Sequence, residues 1–172
     1  RVLKCSEDKI EEIHLDSIHD MFFEVLVDNK NRYWFATSNG LYLKEADSVT
    51  YFESVAGKIL GQTRQIEVDR YGVIWLGTYS GGVYSYDPKT RKGRHYSRKN
   101  GLVSDFIQSL KYDKQRNCLW VGTINGISII QLDENPELRV LRSLKSDEPL
   151  SCNVNSIFCD SAIGVLIGVG NK

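Results

Sequence analysis

Polar side chains recur where the strand-like segments of this chain begin or end. They are Asn39, Arg64, Tyr79, Ser80, Gln108, Asn125 and Asn155. Amide, hydroxyl and guanidinium groups beside an aromatic ring can together bind a polyhydroxylated ligand such as a sugar. The alternative is that they are ordinary solvated loop residues, because loops lie at the surface and are usually polar. These residues are therefore candidate ligand-binding positions, provided that the fold brings them together.

Catalytic chemistry has less support in the sequence. The histidines are His14, His19 and His95, and no fixed spacing pairs any of them with an acidic residue. No nucleophile-elbow, zinc-protease or phosphate-loop motif occurs. We therefore expect surface or packing roles for the histidines, no catalytic residue, and no metal or cofactor site.

The cysteines are Cys5, Cys118, Cys152 and Cys159, and none belongs to a C-x-x-C pair. We interpret them as small buried apolar residues. Cys118 and Cys159 fall in predicted strands of different repeats, so we do not expect a disulfide between them. The cysteines leave the redox compartment open.

Charge and hydropathy exclude two classes of partner. Lys and Arg together number 22, as do Asp and Glu, so the net charge is zero. A nucleic-acid-binding domain usually carries a basic excess. The longest apolar runs, such as residues 164–169, have the length of a strand and are too short to cross a bilayer. We expect contact with neither nucleic acid nor membrane.

A repeated W-x-[GA]-T motif organises the chain. Trp34, Trp75 and Trp120 mark three copies, and Leu166 marks a weaker fourth copy, at spacings of 41, 45 and 46 residues. An aspartate precedes this position by six or seven residues in every copy: Asp28, Asp69, Asp113 and Asp160. A period of about 40–50 residues with strand-like patterning is typical of one four-stranded β-propeller blade.

The repeated residues have structural interpretations. The tryptophans are expected to pack between neighbouring blades, with an aromatic platform for a sugar ring as the alternative. The aspartates end a short strand and are expected to accept backbone N–H bonds of the following turn. A calcium site is the alternative role for the aspartates, but the chain has no D-x-D-x-D cluster.

The predicted fold class is all-β, a β-propeller of four-stranded antiparallel blades with about four blades' worth of strands in one domain. Residues 1–21 give the C and D strands of a preceding blade and a connector. Complete blades cover 22–63, 64–105 and 106–153, and residues 154–172 give the A and B strands of a further blade. The two end halves could complete each other in a four-bladed ring. Equally, the chain could be a slice of a larger ring.

The residues around these motifs resemble a known family. Ile74-Trp75-Leu76-Gly77-Thr78 and its counterparts, with the openings at 100–110 and 153–157, resemble the two-component regulator propeller repeat. The resemblance extends from about Phe22 to Gly170. It implies seven-bladed rings, often two in tandem, in the periplasmic sensor region of hybrid two-component histidine kinases of the Bacteroidetes type. Such proteins detect glycan fragments and switch on polysaccharide-utilisation genes.

The function implied by this resemblance is that of an extracytoplasmic, periplasmic sensor module without catalytic activity of its own. It would bind oligosaccharide or polysaccharide breakdown products, or relay their detection, to a histidine kinase. A protein-interaction scaffold and a propeller lyase or hydrolase are the alternatives. The implied partners are a glycan fragment or other small ligand, the remaining blades of a longer protein, and a second copy in a homodimer. The absence of an initiator Met fits the expectation of a slice.

Overall fold

The strands form where short alternating or apolar runs stop at turn-forming residues. In the computed structural model, residues 2–5, 9–13, 15, 18–132, 140–144 and 153–170 are described. Ile74–Thr78 is rich in β-branched and aromatic residues and is buried along its whole length. It follows a turn in which Gly72 has a φ of 83°, a conformation that glycine adopts without strain.

The described residues contain eighteen strands. In chain order they are β1 (Val2–Cys5), β2 (Ile10–Ile13), β3 (Phe22–Val27), β4 (Tyr33–Thr37), β5 (Gly40–Glu45), β6 (Ser48–Phe52), β7 (Ser54–Val55), β8 (Lys58–Ile59), β9 (Thr63–Val68), β10 (Ile74–Thr78), β11 (Val83–Asp87), β12 (Lys92–Tyr96), β13 (Ile107–Asp113), β14 (Cys118–Thr123), β15 (Gly126–Gln131), β16 (Val140–Leu144), β17 (Asn153–Asp160) and β18 (Gly164–Gly170). A 3-10 turn at Arg98–Asn100 links β12 to β13.

Three four-stranded antiparallel sheets make up most of the structure. We name them sheet I (β3–β6), sheet II (β9–β12) and sheet III (β13–β16), and in each the strands pair in chain order. We call their successive strands A, B, C and D, and β17 and β18 occupy the A and B positions of the next repeat. The A strands of successive sheets pack against one another, so they form the inner edge of the arrangement.

Two apolar clusters fill the spaces between the sheets. The first lies between sheets I and II and includes Trp34, Leu41, Ile66 and Leu76. The second, which includes Trp75, lies between sheets II and III. The faces of the sheets are therefore buried against each other, and the tryptophan of one sheet faces the next sheet.

A short hairpin, β7–β8, was not predicted. Its turn residues Ala56 and Gly57 have φ values of 55° and 70°, as in the two-residue turns that suit tight hairpins. Val55 is buried in the cluster between sheets I and II. Strands of two residues are too short to show a periodic pattern, which explains why sequence analysis missed this element.

The strands at the two ends of the chain lie in separate sheets. β1 pairs with β2, and β17 pairs with β18. Among the described strands, no hydrogen-bonded ladder joins β1 to β18, so the two halves do not complete a common blade in this structure.

Candidate ligand-binding site

The A–B turns of sheets I, II and III each contain a hydrogen bond between the repeated aspartate and the repeated tryptophan. The indole Nε1 of Trp34 donates to Asp28 Oδ2 at 2.9 Å, and that of Trp75 donates to Asp69 Oδ2 at 2.9 Å. The third pair is Trp120 Nε1 to Asp113 Oδ2, at 3.3 Å. In each case the other carboxylate oxygen accepts two backbone N–H bonds of the turn. We call this side of the molecule the turn end.

Hydrogen bonds lower the pKa of three of the turn aspartates, Asp28, Asp113 and Asp160. Burial alone would raise the pKa of Asp28, but hydrogen bonds from Arg32, Trp34 and the backbone lower it overall. The same balance lowers the pKa of Asp113, with Arg116 and Trp120 as donors. At Asp160, the backbone N–H groups of Ile163 and Ala162 lower the pKa. The hydrogen bonds of Asp28, Asp113 and Asp160 thus favour the ionised form of these carboxylates.

The opposite side, which we call the loop end, carries a register shift at the start of every A strand. Phe22 pairs with Thr37 and Glu24 with Ala36, so that Phe23 has no partner across the ladder. The same shift leaves Arg64, Gln108 and Asn155 unpaired in β9, β13 and β17. We call Phe23, Arg64, Gln108 and Asn155 the bulge residues. A bulge releases one side chain from the ladder and changes its direction, which is common beside functional sites.

The residue after each bulge joins its sheet to the next A strand. Glu24 Oε2 accepts a bond from Ile66 N at 2.7 Å, and Gln65 Oε1 accepts one from Leu110 N at 3.3 Å. Ser109 Oγ donates to the Val154 carbonyl at 3.0 Å. Burial raises the pKa of Glu24, although the bond from Ile66 N opposes this. These bonds fix the spacing of the inner strands and hence of the bulge residues.

An ion pair adds to the contact between sheets II and III. Lys111 Nζ lies 2.6 Å from Glu67 Oε1. Burial would lower the pKa of Lys111, but its hydrogen bond to Glu67 and the attraction between the two charges raise it overall.

The glycine of the repeated motif allows this close approach of the sheets. A Cβ atom on Gly77 would lie 2.8 Å from Ile107 Cγ2 of the next A strand. Such a contact would force the two sheets apart, so the motif glycine serves packing between sheets.

Arg64 is the centre of a cluster that spans three sheets. Its guanidinium carbon lies 4.4 Å from the centroid of the Tyr79 ring and 5.5 Å from that of Phe23. The Tyr79 ring meets Phe106 edge to face at a centroid distance of 5.7 Å. Tyr79 and Phe106 are 43% and 39% exposed. We call these four residues the Arg64 cluster.

The structure brings together only part of the predicted polar set. Arg64 and Tyr79 are in contact, and Gln108 and Asn155 occupy the equivalent bulges of the following A strands. Ser80 and Asn125 are exposed loop residues, and the Asn125 backbone N–H bonds to Thr123 Oγ1 at 3.1 Å.

Asn39 belongs to a separate polar network on sheet I. Its Nδ2 donates to Asp20 Oδ1 at 2.5 Å, and its carbonyl accepts a bond from the Tyr51 hydroxyl. Asp20 also accepts a bond from the Tyr42 hydroxyl at 3.0 Å. Burial and this bond to Asp20 raise the pKa of Tyr42 to about 12. Asn39 is therefore engaged in holding its own loop.

Comparison with solved structures identifies the architecture. The extracellular domain of a B. thetaiotaomicron protein described as a hybrid two-component system matches 96% of this chain, with a TM-score of 0.74 and 18% identity. The chain has the β-propeller fold. A second such domain from the same species matches 92% of the chain, with a TM-score of 0.53 and 20% identity. Virginiamycin B lyase from Staphylococcus aureus matches 94%, with a TM-score of 0.71 and 16% identity.

The propeller likeness covers a limited part of these proteins. The chain spans 23% and 26% of the two extracellular domains and 54% of the lyase. At these identities the likeness establishes the fold, and the fold predicted from the repeat is confirmed. The neighbours include extracellular domains of the kind of protein that the sequence resembles. No protein-family model matches the chain, and no curated protein matches it by sequence.

Sequence analysis missed two members of the Arg64 cluster, Phe23 and Phe106. Phe23 occupies the same position in its blade as Arg64 does, but the opening Phe22-Phe23-Glu24 departs from the repeat pattern. A signal for the bulges was present. The apolar Ile107 and Leu110, both buried in the structure, lie three positions apart, whereas a regular strand would bury every second residue.

The titratable residues outside the cluster form no catalytic constellation in the part of the chain that the structure describes. His19 is exposed, and His95 Nε2 lies 2.7 Å from the Gly81 carbonyl, with its ring on Tyr84. His14 lies outside the described residues. Among the residues that are described, no three potential ligands are grouped to hold a metal ion.

The cysteines are only partly within the described structure. Cys118 is buried and Cys159 is partly buried, and both are free thiols. Burial raises the pKa of the Cys118 thiol to about 11. Cys152 and the side chain of Cys5 lie outside the described residues. In the described segments, no helix is long and apolar enough to span a bilayer.

Proposed function

We propose that this chain forms part of an extracytoplasmic, periplasmic sensor of a hybrid two-component system. It would bind an oligosaccharide at the loop end and pass its detection to a histidine kinase. The observation that carries this proposal is the series of bulge residues on the inner strands, beside the exposed Tyr79 and Phe106 rings. The β-propeller fold shared with two extracellular domains of two-component systems supports it.

The chemistry of the loop end suits a sugar. Exposed aromatic rings can pack against the apolar face of a pyranose, and amide groups can bond to its hydroxyls. Gln108 and Asn155 supply amides at successive bulges, and Arg64 supplies a cation. Virginiamycin B lyase has the same fold, but a fold alone does not determine function. Because the described histidines do not converge, a binding role has better support than a catalytic one.

The proposal includes further blades that complete the ring. On the β17–β18 hairpin, Phe158 and Leu166 are paired across the ladder on one face and are 55% and 54% exposed. The equivalent faces of sheets I and II are covered by a neighbouring sheet. An apolar sheet face of this kind normally packs against another layer. Further blades against this hairpin would bury these side chains in the same way.

Calorimetric titration of the full chain with a panel of neutral and acidic oligosaccharides tests ligand binding. We expect at least one oligosaccharide to bind, and Tyr79→Ala or Phe106→Ala to weaken that binding about tenfold through loss of the stacking surface. Tyr71→Ala is the matched control, because Tyr71 is 40% exposed but belongs to the turn end. Absence of binding across the panel, or equal losses in all three variants, would overturn the proposal.

A further inference from the structure

Arg64 carries a charge that the described protein does not balance. Two other arginines, Arg32 and Arg116, each form an ion pair with an aspartate at the turn end. No salt bridge within the described residues involves Arg64, and its contacts are the faces of Tyr79 and Phe23. An arginine remains protonated at every physiological pH. The Arg64 cluster is therefore a fixed positive site with aromatic walls.

One donor atom of Arg64 also lacks an acceptor. Its Nε is buried and has no hydrogen-bond partner among the described residues. A buried N–H group of a cation is costly to leave unbonded. The aromatic rings satisfy the charge only in part, because their π faces offer no strong acceptor in the plane of the guanidinium. Nε is the only guanidinium nitrogen among the buried atoms of the described residues without a partner, so an oxygen acceptor from a ligand would meet Arg64 at its terminal nitrogens.

The geometry selects the form of that acceptor. The two rings contact Arg64 over the guanidinium carbon, and Nε is buried, so the remaining approach is in the plane of the guanidinium, along the edge that carries its two terminal nitrogens. A carboxylate matches two parallel N–H donors of a guanidinium, with two short charge-assisted bonds. The partly exposed Tyr79 and Phe106 rings provide an adjacent surface for the apolar face of a sugar.

We propose that the Arg64 cluster binds the carboxylate of an acidic sugar, a uronate unit of an oligosaccharide, whose ring packs against Tyr79 and Phe106. This inference rests on the proposed oligosaccharide-binding function and specifies its ligand class. Arg64 is the specificity-determining residue, since it distinguishes a uronate from the corresponding neutral hexose. Gln108, in the next bulge, follows Phe106 by two positions in the chain.

The test compares ligands that differ only in the carboxylate. The full chain is titrated calorimetrically with galacturonate, glucuronate and mannuronate trisaccharides, with their carboxyl-reduced forms, and with sulfated neutral trisaccharides. We expect at least one uronate trisaccharide to bind about tenfold or more tightly than its reduced form, as expected for a charge-assisted pair. Raising the salt concentration should reduce this difference.

Two substitutions assign the effect to Arg64. Arg64→Gln should abolish the preference for the uronate, whereas affinity for the reduced form should change little. Arg64→Lys should retain only part of the preference, because a lysine lacks the paired N–H donors. Lys99→Gln is the charge-matched control, since Lys99 is exposed on the connection before β13 at the same end of the molecule. Circular dichroism of each variant verifies that it is folded.

The outcomes separate this inference from the function on which it rests. Equal binding of uronate and reduced trisaccharides overturns the uronate assignment but leaves oligosaccharide recognition intact. Tighter binding of the sulfated form, or a preference that survives Arg64→Gln, also overturns it. Absence of binding by every neutral and acidic saccharide contradicts the proposed function itself.

Discussion

The turn end and the loop end of this propeller segment repeat in different ways. At the turn end, sheets I, II and III each carry the same pair, an aspartate bonded to a tryptophan. At the loop end, the backbone bulge repeats, but the side chain it presents changes from Phe23 to Arg64, Gln108 and Asn155. One end repeats a set of interactions, and the other repeats only a position.

This difference separates residues that build the fold from residues available for recognition. The turn-end tryptophans and aspartates have partners within their own blade. The loop end holds Arg64, whose buried Nε has no partner among the described residues. Where the fold does not constrain the type of side chain, selection for ligand binding can determine it. The comparison therefore predicts large stability effects at the turn end and large binding effects at the loop end.

The largest expected effect is at Trp75. Trp75→Ala should lower the free energy of unfolding by about 3–5 kcal/mol, because it removes a buried aromatic ring from the cluster between sheets II and III. Trp120→Ala is the control and should cost less, because the Trp120 side chain is only partly buried. Urea denaturation at matched m-values measures both. Equal losses would contradict the packing role inferred for Trp75.

The second prediction concerns Asp69, which accepts the hydrogen bond from the Trp75 indole. Asp69→Ala should cost about 2 kcal/mol, because it removes the acceptor of the Trp75 indole and of two backbone N–H groups. At Asp160, two backbone bonds are present, but Leu166 replaces the tryptophan. Asp160→Ala should therefore cost about 1 kcal/mol or less. If urea midpoints for the two variants coincide, the bond to the indole contributes nothing.

The third prediction uses pH. The pKa values of Asp28 and Asp113 are lowered in the folded state. Their contribution to stability is fully present above the ordinary aspartate pKa of about 3.9, and it is lost as the pH falls through the lowered folded-state values. In the double variant that carries Asp28→Asn and Asp113→Asn, the urea midpoint should depend less on pH in this acidic range than it does in the wild-type protein.

Glu24 contributes to the pH dependence of stability with the opposite sign to Asp28 and Asp113. Burial raises its pKa, so its contribution favours the folded state at low pH and is lost as the pH rises through the raised value. Glu24→Gln should therefore make the acid-induced loss of stability larger. An unchanged profile in the double aspartate variant would show that the turn carboxylates do not govern acid stability.

The smallest stability effect is expected at a bulge, and neighbouring residues provide the comparison. Gln108→Ala should change the free energy of unfolding by no more than about 0.5 kcal/mol, since Gln108 has no partner in the ladder. Ser109→Ala should cost about 1 kcal/mol, because Ser109 Oγ bonds to the Val154 carbonyl of the next A strand. Thermal unfolding distinguishes the two, and a reversed order would refute this division of roles.

Much of the fold could be predicted because the repeat is periodic. The spacing of Trp34, Trp75 and Trp120 indicated four-stranded blades, and the repeated tryptophan motif itself located the strand Ile74–Thr78. The β7–β8 hairpin was missed, because its strands have two residues each. Sequence periodicity detects elements that are long enough to repeat a pattern, and this hairpin is shorter than that.

The candidate site was harder to predict because it depends on contacts between blades. Arg64, Gln108 and Asn155 were recognised as equivalent positions. The contact of Arg64 with Phe23 is formed between residues of different sheets and leaves no pattern in either segment. The bond between Asp69 and Trp75 was also missed, although their spacing repeats. A repeated spacing shows that two positions are related, and only the structure shows that their side chains touch.

The bulge has a consequence for how such a protein can change through evolution. A residue in a regular ladder is matched to a neighbour on the adjacent strand, so replacing it often calls for a second, compensating replacement. Phe23, Arg64, Gln108 and Asn155 have no such cross-strand neighbour. Under the proposed function, single substitutions at these positions alter what the loop end binds while the blades keep their pairing. Under that proposal, gene duplication followed by point mutation at these few codons is a short route from one ligand specificity to another.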